Sequence, residues 1–405
     1  MQRFDSIRNS PQFLLLAMAF VMPLMHAVWN ALLNNFVVEK AAFTGAEIGM
    51  LQSLREVPGF LAFTAVFILL AMKEQTLALV SLAVMAVGVA LTGWFPFELG
   101  LYATTVLMSI GFHYFETVHQ SLTLQWLPKD KSAHFMGKQI SMKSFASLTA
   151  YASIWVLMEW LGFSYNVMYM LAGGAGLLIV CLLWVTFPQF KQVSTQHKHM
   201  VLRKRYWLYY ALTFFSGARR QIFMVFAAFM MVEKFGYTVG DISLLFTINY
   251  VFNLLFAPTL GKWIHKVGDR KALSFEYAGL ILVFTAYAFV DNSILAGALY
   301  VIDHLLFAIS IAVKTYFQKI AKHEDIASTA GVSFTINHIA AVVIPALLGV
   351  VWLTSPELVF FVGAGFALCS LVLALNIPDA PEIGNEVVKN PLGWANMEAK
   401  PQMGE

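Results

Sequence analysis

Long apolar runs separated by short polar punctuation set the pattern of this chain. A membrane-spanning helix needs roughly 20 mostly apolar residues. Stretches of that kind follow one another at 12–36, 45–72, 76–95, 98–126, 139–160, 165–187, 206–232, 239–261, 272–290, 292–318, 329–353 and 357–377. The pattern predicts an all-α polytopic membrane protein of twelve helices joined by short loops. One longer basic loop, 188–205, divides the helices six and six. The expected organisation is a polar N-terminus over 1–11, a first bundle over 12–187, the basic loop, a second bundle over 206–377, and a polar tail over 378–405 that reads as disordered.

Composition removes the soluble alternatives. The 405 residues are 59% hydrophobic and 12% charged, with mean hydropathy +0.70. A soluble domain carries about 25% charged residues, so most of this chain is expected to face lipid. The net charge of +3 is no nucleic-acid signature. Cys181 and Cys369 each lie inside an apolar run, without metal-ligand spacing, and read as small buried hydrophobes. No G-x-x-x-x-G-K-[ST] loop, nucleophile–base pair or metal triad is present, so neither ATP drive, nor an enzyme, nor a cofactor is expected.

Charge in the loops sets the orientation. With the N-terminus inside, nineteen lysines and arginines fall in inside loops and tails, and only Lys40 and Lys234 fall outside. Both termini are therefore expected in the cytoplasm, with the first helix acting as an uncleaved insertion signal. The compact loops suggest a monomer in a bacterial inner membrane.

The two halves repeat. A shift of 194 residues lays Thr44-Gly-Ala-Glu47-Ile48 on Thr238-Val-Gly-Asp241-Ile242, Lys129-Asp130 on His323-Glu324, and Gly137 on Gly331. Duplicated six-helix halves are a known transporter architecture, with the solute site near the midplane. One loop adds a motif. Gly261-Lys-Trp-Ile-His-Lys266-Val-Gly268-Asp-Arg270-Lys271, between helices eight and nine, resembles the G-x-x-x-D-R-x-G-R-R loop of the major facilitator superfamily. Gly261, Lys266, Gly268 and Arg270 are in register, and His265 stands where the family has an acid. The copy expected between helices two and three is absent. The resemblance implies two pseudo-symmetric six-helix bundles, a conformational latch at this loop, and a path lined by helices one, four, seven and ten, helped by two, five, eight and eleven. Helices three, six, nine and twelve would sit outside.

The polar residues at membrane depth fit that plan. They are His26 and Asn30 on helix one, Arg55 and Glu56 on helix two, His113 and Glu116 on helix four, Arg219 and Arg220 on helix seven, Asn249 and Asn253 on helix eight, Asp303 and His304 on helix ten, and Asn337 and His338 on helix eleven. Arginine grips carboxylate or phosphate bidentately and stays charged. His26, Arg55, His113, Arg219, Arg220, Asn249 and His338 are thus candidate solute ligands. The rival role for each arginine is an ion pair between helices. A carboxyl held in the membrane can load and release a proton, so Glu56, Glu116 and Asp303 are candidate proton carriers. Lys143 and Lys314 are expected to snorkel to headgroups. Under the 194-residue shift His26 falls on Arg220 and Arg55 on Asn249.

These readings converge on a proton-coupled secondary transporter of a small anionic or zwitterionic solute, with bilayer lipid and a coupling proton as its other partners. Two alternatives remain open in the sequence. One is an efflux carrier for cationic or amphipathic compounds; the other is a non-transporting receptor or assembly factor.

Overall fold

A backbone surrounded by hydrocarbon must satisfy its own hydrogen bonds, so apolar runs of this length settle as helices. The computed structural model describes residues 8–127, 129–190, 202–322 and 325–389. The pair His323–Glu324, most of the basic loop and the last part of the tail lie outside them.

Among the described residues the helices form twelve rods. They are α1 (Pro11–Ala41), α2 (Gly45–Phe60, continuing through a 3-10 turn into Ala65–Ile68), α3 (Glu74–Thr92), α4 (Glu98–Trp126), α5 (Lys129–Ile154, ending in a π segment Trp155–Trp160) and α6 (Tyr165–Thr186). The second six are α7 (Trp207–Gln221, a π segment Ile222–Ala227, then Ala228–Glu233), α8 (Val239–Val267), α9 (Asp269–Phe289), α10 (Ser293–Ile320, with a 3-10 turn at Ala308–Ser310), α11 (Ile326–Trp352) and α12 (Pro356–Ala374). The largest boundary difference is at α5. It starts ten residues before the predicted 139, because the polar run Lys129–Lys138 forms helix without contributing hydropathy.

Among the described residues, seven rods are long and apolar enough to cross a membrane: α1, α3, α6, α9, α10, α11 and α12. All four expected outer helices are among them.

The chain divides into two compact units, Met1–Gln196 with Val232–Tyr250, and His197–Met231 with Val251–Glu405. The division is not a clean six and six. The α7–α8 turn and the first half of α8 belong to the first unit. There Asn35 donates to the Tyr237 carbonyl at 2.7 Å, the Gly240 amide donates to Glu159 at 2.9 Å, and the Tyr151 ring meets Phe246 and Tyr250 at 5.7 Å each.

The repeat is visible in packing as well as sequence. In the first unit α1 packs on α5 and α6, and α3 packs on α4 and α6. In the second, α7 packs on α11 and α12, and α9 packs on α10 and α12. Each copy also starts its second helix with the same cap. The Thr44 amide donates to Glu47 at 2.7 Å, and the Thr238 amide donates to Asp241 at 2.9 Å. Both caps satisfy amides that a helix start would leave orphaned.

Close approach in the first unit depends on glycine. A Cβ at Gly111 of α4 would lie 2.4 Å from the Ser81 carbonyl oxygen and the Met85 amide nitrogen of α3. A Cβ at Gly173 of α6 would lie 2.4 Å from the Ala86 carbonyl oxygen, also of α3. Backbone cannot yield as a side-chain tip can. Gly111→Val is therefore expected to cost at least the 1–3 kcal/mol typical of overpacking. It should appear as a lower unfolding midpoint in detergent, with Gly174→Val, which meets open space, as the control.

The segment after α12 departs from the expected disordered tail. Residues 378–389 fold back onto the second unit. The Val388 amide donates to the Asn376 carbonyl at 2.9 Å, and the Asn376 side chain donates to the Lys389 carbonyl at 2.8 Å. Glu386 is 0% exposed and ion-paired with buried Arg205. Its carboxylate accepts from the Gly384 amide at 2.9 Å, and its carbonyl accepts from the Tyr316 hydroxyl at 2.7 Å.

Candidate functional site

In the first unit, α1, α2 and α4 bring four of the predicted residues together. Arg55 and Glu56 are neighbours on α2, and the guanidinium grips the carboxylate at 2.6 Å and 3.2 Å. The Arg55 carbonyl accepts from the Ser109 hydroxyl on α4, which ties α2 to α4 at this depth. One α4 turn later, a His113 ring nitrogen lies within 4.8 Å of a Glu56 carboxylate oxygen. His26 on α1 stacks on Phe112, ring centroids 4.9 Å apart, and feels the charges of Arg55, Glu56 and His113. Gln52, one turn before Glu56, is buried with its amide oxygen unpartnered. The sequence reading passed over Gln52 and Ser109. The signal was their i−4 and i−4 spacing from Glu56 and His113.

This cluster is polar and nearly charge-balanced. It offers donors (Arg55, Gln52), acceptors (Glu56, Gln52), two imidazoles that serve as either, and a flat aromatic face. Such a surface suits a solute that carries both donors and acceptors. It is less suited to a bare anion, because the Arg55 fork already holds a carboxylate.

The two predicted polar residues of α4 part company. His113 faces Glu56, while Glu116 pairs with Lys143 of α5 at 2.6 Å. Lys143 therefore meets a partner instead of snorkelling. His119, further along α4, is buried and bonds the Leu15 carbonyl at 3.0 Å, a structural role between α4 and α1.

In the second unit the two arginines diverge, as consecutive helical positions 100° apart must. Arg219 is 1% exposed. It donates to Glu276 of α9 at 2.9 Å and to Ser370 of α12 at 3.2 Å, and its guanidinium lies 4.7 Å from the Tyr277 ring centroid. Arg220 is half-buried. The π segment of α7 begins two residues later, and π segments recur at functional sites. Asp303 of α10 is 1% exposed and acts electrostatically on both Arg219 and Glu276. Glu276 puts a buried acid on helix nine, one of the four helices expected to sit outside the path. Its arginine partner also changes the reading of Arg219, whose fork is filled by protein.

Asn249 and His338 are each described by their own surroundings. Asn249 is buried in the first half of α8 with its amide oxygen unpartnered. On α11 the His338 Nδ1 bonds the Phe334 carbonyl at 2.9 Å, and its ring lies tilted against Phe334, centroids 4.2 Å apart. The side chains of Asn253 and Pro258 lie outside the described residues.

At the α8–α9 turn only part of the latch motif is structurally constrained. Gly268 has φ +87°, a conformation that favours glycine. Gly261 and Lys266 are exposed, and Arg270 reaches Asp379 at 3.5 Å. The residue that engages the neighbouring helix is Asp269, which holds Lys319 at 2.7 Å and the Thr315 hydroxyl at 2.6 Å. Its position, one residue past the motif glycine, hid it from the alignment with the motif.

Compared with known proteins, the chain matches the family model described as Major Facilitator Superfamily over residues 13–345, and again over 209–397. No curated protein matches it by sequence. Among solved structures it is similar to the nucleoside transporter NupG, with TM-score 0.72 and 15% identity over 90% of this chain and 98% of that one. It is also similar to a bacterial homologue of the human lysosomal transporter Spinster in an inward-facing, unoccupied conformation. There the TM-score is 0.70, with 12% identity over 91% of this chain and 96% of that one. Identities this low carry the fold alone. The family match, over more than half of the chain, is what makes it a multi-pass membrane protein of a transporter family.

Proposed function

Because the chain belongs to the major facilitator superfamily, we propose that it is a proton-coupled secondary transporter of a small polar solute, zwitterionic or neutral, held by His26, Arg55, Glu56 and His113 in the first bundle. The observation that carries the reading is the Arg55–Glu56 pair, 2.6 Å apart at membrane depth beside the stacked His26 and Phe112 rings. A fixed pair of opposite charges accepts a solute with both signs or with hydroxyl groups. It disfavours one with net charge, which would leave half the pair uncompensated. The likeness to a nucleoside transporter adds a class to test. A nucleoside presents a flat base for the aromatic face and sugar hydroxyls for the ion pair.

Solute binding drives alternating access in this reading, and Asp303 carries the coupling proton. The other two candidate carriers are weaker, since Glu56 and Glu116 each hold a basic partner. The same pairing argues against cation efflux through those acids.

The test is thermal stability of the purified protein against nucleosides, amino acids, sulfate and phosphate. A ligand at 100 times its Kd adds about 2.7 kcal/mol. Nucleosides or amino acids are expected to stabilise the wild type and to lose their effect in Arg55→Gln/Glu56→Gln. Stabilisation by sulfate or phosphate alone, unchanged in that variant, sinks the assignment.

A further inference from the structure

The turn between α7 and α8 is held in place by α1 and α5. Asn35, near the end of α1 and 1% exposed, donates its side-chain N–H to the Tyr237 carbonyl at 2.7 Å. Glu159, in the π segment that ends α5, accepts from the Gly240 amide at 2.9 Å. Both side chains bond main chain, so they fix where the turn lies. A third contact follows further along α8, where the Tyr151 ring of α5 meets Phe246 and Tyr250 at 5.7 Å each.

A helix start leaves its first amides without partners inside the helix. Thr238 and Asp241 satisfy two of them locally: the Asp241 amide donates to the Thr238 hydroxyl at 3.2 Å, and the Thr238 amide to the Asp241 carboxylate at 2.9 Å. The Gly240 amide takes its acceptor from a different helix. That approach needs glycine. A Cβ at Gly240 would lie 2.6 Å from Glu159 Oε1 and 3.0 Å from Glu159 Cγ. The 194-residue repeat shows the arrangement to be one-sided. The shift places Phe229 at the position of Asn35, Leu353 at that of Glu159, and Ala46 at that of Gly240. The cap recurs in both halves, whereas the amide, the acid and the glycine occur in one combination only. A six-helix bundle of this kind therefore folds without them.

We propose that Asn35, Glu159 and Gly240 form a clasp that holds the α7–α8 turn down, and that the turn leaves α1 and α5 at one step of every transport cycle. The proposal rests on the transporter reading above and adds to it a named point of release. Two hydrogen bonds and a ring contact hold a conformation without making it permanent, because water replaces the lost partners when the turn lifts. Glu159 is itself exposed, so water is at hand for its carboxylate and for the Gly240 amide. Gly240→Ala acts on the same bond from the other side, since its methyl group would take the space of the carboxylate.

Thiol labelling tests the clasp apart from transport. Ser243, one turn into α8, is 2% exposed, so Ser243→Cys in a Cys181→Ser/Cys369→Ser background reports whether the turn is docked. A polar maleimide should label the detergent-purified protein slowly. Adding Glu159→Leu, Gly240→Ala or Asn35→Ala should speed labelling about ten-fold, as loss of one hydrogen bond of this class implies. Unchanged rates in all three overturn the clasp, whether or not any solute moves. Cross-linking supplies the second arm. Glu159→Cys/Gly240→Cys puts a sulfur near the Glu159 Cγ position, 3.0 Å from the new Cβ and within the reach of a disulfide. Oxidation should form the bond and stop exchange of labelled nucleosides or amino acids in proteoliposomes, and a reductant should restore it. Undiminished exchange through fully cross-linked protein overturns the proposal, and so does failure of the bond to form. If the protein moves none of these solutes even when reduced, the transporter reading falls and the labelling rates still decide the clasp.

Discussion

Arg219→Met is expected to be among the most damaging single substitutions in the protein, at about 3–5 kcal/mol. Removal of one partner from a buried ion pair leaves an uncompensated charge, and that loss exceeds what the pair itself contributes. Arg219 holds Glu276 and Ser370 at once and lies against the Tyr277 ring, so α7, α9 and α12 all lose a contact. Methionine refills most of the volume, which isolates the electrostatic loss from a cavity. The double variant Arg219→Met/Glu276→Met should recover much of the stability, because the buried charge is gone on both sides. Unfolding midpoints for the two singles and the double, compared as a cycle, check this. Simple addition of the two single losses would mean that the residues act independently.

Glu386→Ala is expected to cost a similar amount, about 3 kcal/mol, although Glu386 lies beyond the last helix in a segment rich in turn-forming residues. Its carboxylate is fully buried against Arg205 and accepts from the Gly384 amide. Alanine takes a buried negative charge away from the Arg205 guanidinium and an acceptor away from the Gly384 amide. Glu386→Gln should lose less, since its amide oxygen can still accept from Arg205. A neutral outcome for Glu386→Ala, equal to that of exposed Glu382→Ala, would place residues 378–389 away from the second bundle in solution.

These two residues also mark where the sequence stops being legible. The rods were readable because apolar length is a one-dimensional property. Thr44/Glu47 and Thr238/Asp241 were readable as a repeat because a helix cap is local, and both form the same bond. Arg55 and Arg219 stood out because a cation inside an apolar run is costly. Their partners were a different matter. Glu56 is adjacent in sequence, and its pairing was foreseeable. Glu276 lies 57 residues from Arg219, on a helix whose expected place outside the path drew attention away from it. Lys143 lies 27 residues from Glu116, and only the packing of α4 near α5 decides that it pairs instead of snorkelling. Glu386 gives no hydropathy signal at all, since its burial is created by the Arg205 and Tyr316 side chains it meets. Depth could be read from position along a helix. The direction a side chain takes around that helix, and what waits there, depends on neighbours that periodicity does not name.

The central claim is that solute and proton move together through this protein. The most direct measurement is the internal pH of proteoliposomes, followed with a trapped dye, when nucleosides or amino acids are added outside in the absence of any ion gradient. The account predicts that at least one of these solutes drives a pH change in wild-type vesicles, that Asp303→Asn abolishes the change, and that the same variant still exchanges labelled solute across the membrane. Solute uptake with no pH change in the wild type would contradict it.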